Sequence, residues 1–134
     1  MTTRLQWPDH PDDQHELKWW TVDIHAYQGQ VVREHRALYH KHTRWRDLYP
    51  DSDHDGADYE DQIQLFDNGQ PFGRHETPGF QKWLAEEPRL YATREAAVEA
   101  ARLAVGKRME RLRSEIAQYE TVLASLLNEQ AGVR

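Results

Sequence analysis

The chain has 134 residues, of which 38% are hydrophobic and 30% charged, with five Trp, six Tyr and a formal net charge of −6. That is one domain's worth of sequence with ample core material, which excludes two full-sized domains and disorder throughout. The absence of cysteine excludes disulfide scaffolds, zinc ribbons, thiol nucleophiles and iron–sulfur ligation, and the mildly acidic total weighs against a dedicated DNA binder.

Residues 1–15 combine Pro8 and Pro11 with Asp, His and Gln and carry no apolar period, the pattern of a mobile or loosely docked arm anchored by Trp7. No apolar run approaches the roughly 18 residues a membrane span needs, and the first residues have no apolar h-region, so a cytoplasmic protein with no membrane partner is expected. From Leu17 the pattern alternates. Trp20, Val22, Ile24 and Ala26 fall on one face and Thr21, Asp23, His25 and Tyr27 on the other, which reads as a half-buried strand. Gln28-Gly29-Gln30 supplies a turn, and Val31–His35 returns as the antiparallel partner.

In 36–49, Leu38, His42, Trp45 and Tyr49 recur at 4-3-4 spacing. A period-2 reading of 36–42 competes, but the spacing favours a helix, stopped by Pro50. An acidic loop, 51–61, follows. Gln62–Phe66 reads as a strand, and Asn68-Gly69 is the signal of a type I′ hairpin. The returning strand contains Pro71, which cannot donate to a ladder, so it should be short and at an edge. Phe80, Trp83 and Leu84 fit one or two helical turns before Pro88 and read as a plug on the sheet. Thr93 is a good N-cap, with Glu95 in the first turn facing the helix dipole. From Arg94 to about Asn128 there is no proline, and Gly106 is the one weak point.

These elements predict an α+β fold: a small antiparallel sheet of two hairpins packed against helices on one face, with a long C-terminal coiled-coil-like helix. The expected organisation is an arm over 1–15, an α+β domain over 16–92 and the long helix over 93–130.

Asp51-Ser52-Asp53-His54-Asp55-Gly56 resembles the start of an EF-hand calcium loop, in which alternate carboxylates converge on a hard cation. That would make Asp51, Asp53 and Asp55 ligands. The likeness ends there, because the position of the bidentate Glu holds Gln62, the apolar anchor position holds Asp58, and Pro50 abuts the loop. The plainer reading is an acidic surface of Asp51, Asp53, Asp55, Asp58, Glu60 and Asp61 that docks on a basic partner. The eight histidines show no ligand spacing, and His40 and His42 share a face only in a strand. No nucleophile elbow, P-loop or dinucleotide fingerprint occurs, and no carboxylate pair sits in apolar sequence where burial would raise a pKa, so no enzyme and no cofactor are expected.

Arg33, Arg36, Lys41, Arg44 and Arg46 interleave with Tyr39 and Trp45, the composition of a nucleic-acid contact in which cations meet phosphates and aromatic rings stack on bases. The competing reading is an amphipathic helix packed on the sheet. The strongest pattern is in the last helix. Val105, Met109, Leu112, Ile116, Tyr119, Leu123 and Leu126 keep a 4-3 alternation, the signature of a two-helix seam. Nothing else in the chain is long enough to cover such a seam, so a protein partner, with a homodimer first among the possibilities, is expected. The alternative is that the first half of the helix lies across the sheet and only its last turns stand free.

The order of strand, glycine turn, strand, basic helix and Asn-Gly hairpin, then Leu90-Tyr91-Ala92-Thr93-Arg94-Glu95-Ala96-Ala97 opening a terminal helix, resembles small uncharacterised accessory proteins of bacteriophages and mobile elements from high-GC hosts. The resemblance implies a non-catalytic inhibitor in the host cytoplasm that binds a host or defence complex; it assigns no functional residue.

Overall fold

The computed structural model describes residues 5–26, 29–51 and 56–132. Strands β1 (Glu16–Val22), β2 (Val32–Arg44), β3 (Tyr59–Asp67) and β4 (Gln70–Glu76) form one antiparallel sheet in the order β1-β2-β3-β4. A single helical turn, α1 (Trp45–Leu48), follows β2; α2 (Thr77–Glu86) follows β4, and α3 (Arg94–Gly132) ends the chain. This is the expected α+β architecture, with the two hairpins joined into one sheet through β2 and β3.

Strand alternation sorts the sheet into two faces. The register Trp19↔His35, Ala37↔Leu65 and Tyr39↔Ile63 places these side chains on one face. There Trp19, Ala37, Tyr39 and Ile63 are buried in one cluster with Phe80 and Leu84 of α2 and with Trp7 of the arm. Phe80 is fully buried and Trp7 is 5% exposed. The rings of Trp7 and Phe80 meet edge-on at 4.9 Å, a geometry that adds to the area they bury. Gln81 Oε1 accepts the backbone N–H of Trp7, tying the arm to α2. The plug of Phe80, Trp83 and Leu84 is thus as the sequence indicates.

The opposite face carries Trp20, Val22, Val32 and Leu38, all half-buried. α3 packs against β1 and β2, and its buried Ala97 and Ala101 stand apart from the aromatic cluster. Clefts lined by Trp20, Val32 and Arg94, and by Val22, Ala100 and Ala104, put α3 on this second face. The helices therefore sandwich the sheet instead of lying on one side of it.

Two sequence expectations are corrected. The stretch 36–49 is not a helix: 36–44 is the second half of β2, and only 45–48 turn helically. As an inner strand with both faces covered, β2 has inward residues at both parities, which blurs alternation and lets a helical period show through. The first strand ends at Val22 rather than running to Tyr27, because Asp23 Oδ1 accepts the His25 N–H at 2.9 Å and turns the chain. Ile24 and Ala26 accordingly lie outside β1, and the core-facing tryptophan is Trp19 instead of Trp20.

Other local signals hold. Asn68 (φ 50°) and Gly69 (φ 83°) both sit in the left-handed region that a type I′ turn requires. β4 is an edge strand, and its register shifts beside Pro71. Thr93 Oγ1 accepts the Ala96 N–H at 3.1 Å, capping α3.

Candidate interaction surface

The start of α3 is fixed by backbone. Trp20 and Tyr91 exchange two N–H···O=C bonds of 2.9 Å on the outer edge of β1, and the Thr93 cap follows two residues later. Ala97, Ala100, Ala101 and Ala104 then recur at helical spacing and are the buried or half-buried residues of α3. Their small side chains let the helix lie close to the sheet. This alanine stripe stands in the sequence as a repeat of small residues.

Beyond Ala104 the helix leaves the body. Every described residue from Val105 to Gly132 is exposed, which at 1.5 Å per residue is about 42 Å of rod. The seam residues Val105, Met109, Leu112, Ile116, Tyr119, Leu123 and Leu126 are 40–74% exposed. The docked portion is thus short, and the seam is not folded back onto the sheet. Soluble monomers seldom display a continuous apolar stripe of this extent. Val122 and Leu127, beside the seam, are also more than half exposed.

The described members of the acidic run stand in different surroundings. Asp53 and Asp55 lie outside the described residues, so the EF-hand-like ligand set does too; Asp51 and Asp58 are exposed. Glu60 pairs with Arg74 at 3.5 Å. Asp61 is committed to the fold: its Oδ1 accepts the His42 N–H at 2.8 Å, and its negative charge lies near Tyr39. Burial and this neighbour push the Tyr39 phenol up from its usual range. Among the described residues no group of three His, Asp or Glu side chains is arranged to hold a metal. Gly56 serves packing, since a Cβ there would meet the Trp45 side chain at 2.5 Å while its carbonyl accepts the Arg46 N–H at 3.2 Å.

The basic segment is dispersed by its strand conformation. Arg33 and Arg36 fall on opposite faces of β2. Arg33 makes a two-pronged pair with Asp67 at 3.1 and 2.8 Å. Arg36 pairs with Glu16 at 3.4 Å and lies 4.0 Å above the Phe66 ring. Arg44 grips Asp47 and covers Tyr59. Lys41 and Arg46 are exposed, with no ion pair among the described residues. The interleaved aromatics are occupied as well: Tyr39 is in the core and Trp45 lies under Arg74. Three of the five cations are thus paired with a carboxylate of the same chain.

Set against protein-family models, curated proteins and solved structures, the chain matches none. Among the described residues, no helix is long and apolar enough to cross a membrane.

One polar constellation escaped the sequence reading. Thr21 Oγ1 lies 2.7 Å from His35 Nε2, and His35 Nδ1 lies 3.9 Å from Asp67 Oδ1. The order hydroxyl, imidazole, carboxylate is that of an activated nucleophile, but the second leg is too long for a hydrogen bond. Asp67 instead holds Arg33, and His35 stacks on Trp19 with ring centres 5.8 Å apart. Burial pulls the imidazole below its ordinary pKa despite Asp67, so it stays neutral near pH 7. The group acts as a cross-strand brace. Only the strand register brings these residues together, which is why sequence spacing did not reveal it.

Proposed function

We propose that the protein is a non-catalytic interaction protein that assembles through the apolar side of α3, with its α+β body carried at the end of the rod. The observation that supports this reading is the uncovered seam from Val105 to Leu126, each residue at least 40% exposed. Most helical stability in proteins comes from packing an apolar face and not from propensity, and burying each seam side chain would contribute about 1.5–3 kcal/mol.

The likeness to phage and mobile-element accessory proteins agrees with this reading in kind. In that setting the rod joins copies in the host cytoplasm, and the bodies meet a host or defence complex, with exposed Asp51 and Asp58 available to basic groups.

Amide hydrogen exchange tests the reading. Residues 108–128 should be protected in the native protein and lose that protection in an Ile116→Glu/Leu123→Glu variant, while the amides of β2 and β3 keep theirs. Equal, unprotected exchange of 108–128 in both proteins would show that the rod packs on nothing, and the reading would fall.

A further inference from the structure

We infer that α3 pairs with the α3 of a second copy of this chain, antiparallel, in the register that sets Met109 on the partner's Leu126, Leu112 on the partner's Leu123 and Ile116 on the partner's Tyr119. This rests on the self-association proposed above and adds its direction and register. The charges flanking the seam carry the inference. In heptad terms Met109, Ile116 and Leu123 are a positions and Val105, Leu112, Tyr119 and Leu126 are d positions. The e positions then hold Arg113 and Glu120, and the g positions hold Arg108, Glu115 and Glu129. All five are exposed, and among the described residues the ion pairing within α3 is confined to Glu99 with Arg102.

In a parallel pair each g residue faces the e residue five positions further along the other helix. Arg108 would meet the partner's Arg113, and Glu115 would meet the partner's Glu120. Twofold symmetry doubles each, giving four like-charge contacts along the helix between 108 and 120. In an antiparallel pair e faces e and g faces g. In the register given, Arg113 meets the partner's Glu120 and Arg108 meets the partner's Glu129, again twice each, and every charge pair is attractive. Sliding by one heptad destroys this. One way, Arg113 meets the partner's Arg113 and Glu115 the partner's Glu115; the other way, Glu120 meets the partner's Glu120 and Glu115 the partner's Glu129.

Two further features agree with this register. Gly106 is the poorest helix former in this stretch, and outside its own turn of helix no described residue lies within 4 Å of where a Cβ would be. The same register places it opposite the partner's Leu127, so a bulky exposed residue gains room where the facing helix has no side chain. The seam also begins directly after Ala104, the last residue docked on the sheet. The partner's Gln130 comes level with Val105, so the full seam is used before the partner's helix reaches the body. The two bodies sit at opposite ends of about 38 Å of paired rod, and the dimer is a two-headed spacer.

The native chain has no cysteine, so full-length Met109→Cys and Leu126→Cys variants report orientation directly. Mixed and oxidised, they should form a covalent dimer linking 109 to 126, and neither should cross-link alone, because like positions are about 25 Å apart along the rod. Covalent dimers from either variant alone would establish a parallel pair and overturn the inference while leaving self-association standing. A dimer that cross-links in neither way would rule out this register, and a solution mass of one copy would remove both. Charge reversal gives a second readout free of oxidation. Arg113→Glu should weaken the dimer by about tenfold, and adding Glu120→Arg should restore it. In a parallel pair the first change would tighten the dimer, because Arg108 would gain an acid opposite it.

Discussion

Asp61 accepts the backbone N–H of His42 at 2.8 Å, and His42 has a positive φ of 50° at the point where the pairing of β2 with β3 skips between His40 and Thr43. A non-glycine residue in this conformation needs support from its surroundings. Asp61 provides it, with Asp13 accepting the Lys41 N–H at 3.1 Å on the other side of the bulge. Asp61→Ala should therefore destabilise the fold by about 1–2 kcal/mol, whereas Asp58→Asn, an exposed acid of the same run, should change stability by less than about 0.5 kcal/mol. Urea unfolding of the two variants checks the contrast.

His35 gives the fold a pH dependence with a defined sign. Its folded pKa lies below the unfolded value because burial opposes the charge more strongly than Asp67 favours it, with Arg33 acting in the same direction as burial. The unfolded chain therefore binds the proton more readily. The contribution of His35 is fully present above the ordinary histidine pKa of about 6.5 and is lost as the pH falls below it. Melting temperatures followed from pH 7.5 to 5 should drop, and the drop should be shallower in His35→Gln.

Gly56 is required by proximity. A methyl group added there would meet the Trp45 side chain at 2.5–2.8 Å and the Arg46 nitrogen at 3.0 Å. Gly56→Ala should cost about 1–3 kcal/mol and displace the tryptophan that lies under Arg74. A change in the intrinsic fluorescence of the folded variant, together with its unfolding midpoint, tests this.

Tyr119 is the most exposed residue of the seam, at 74%, and it occupies a d position, where leucine packs best in a two-stranded coil. Tyr119→Leu should strengthen self-association by about 1 kcal/mol, measured by sedimentation equilibrium, without moving the unfolding of the sheet.

Signals carried by a few adjacent residues were legible in the sequence. Asn68-Gly69, the Thr93 cap and the Phe80-Trp83-Leu84 plug each depend on local geometry, and the long helix follows from the absence of proline after Pro88. What was lost depends on long-range pairing. Ala37 and Tyr39 point into one layer and Leu38 into the other, so β2 shows no clean alternation and passed for a helix. Asp61 is indistinguishable from Asp58 by composition, and only the bulge opposite it makes one a structural acid and the other a surface charge. Among the candidate residues, the exposed apolar side of α3 follows from a heptad that needs no knowledge of the rest of the fold, whereas the ion pairs of the basic set depend on partners such as Asp67, 34 residues away from Arg33.

Light-scattering mass across a dilution series decides whether α3 joins two copies of the chain. The chain weighs 15.9 kDa; the account predicts a species of about twice that mass, reverting to one copy in the Ile116→Glu/Leu123→Glu variant. A single-copy mass at every concentration would contradict it.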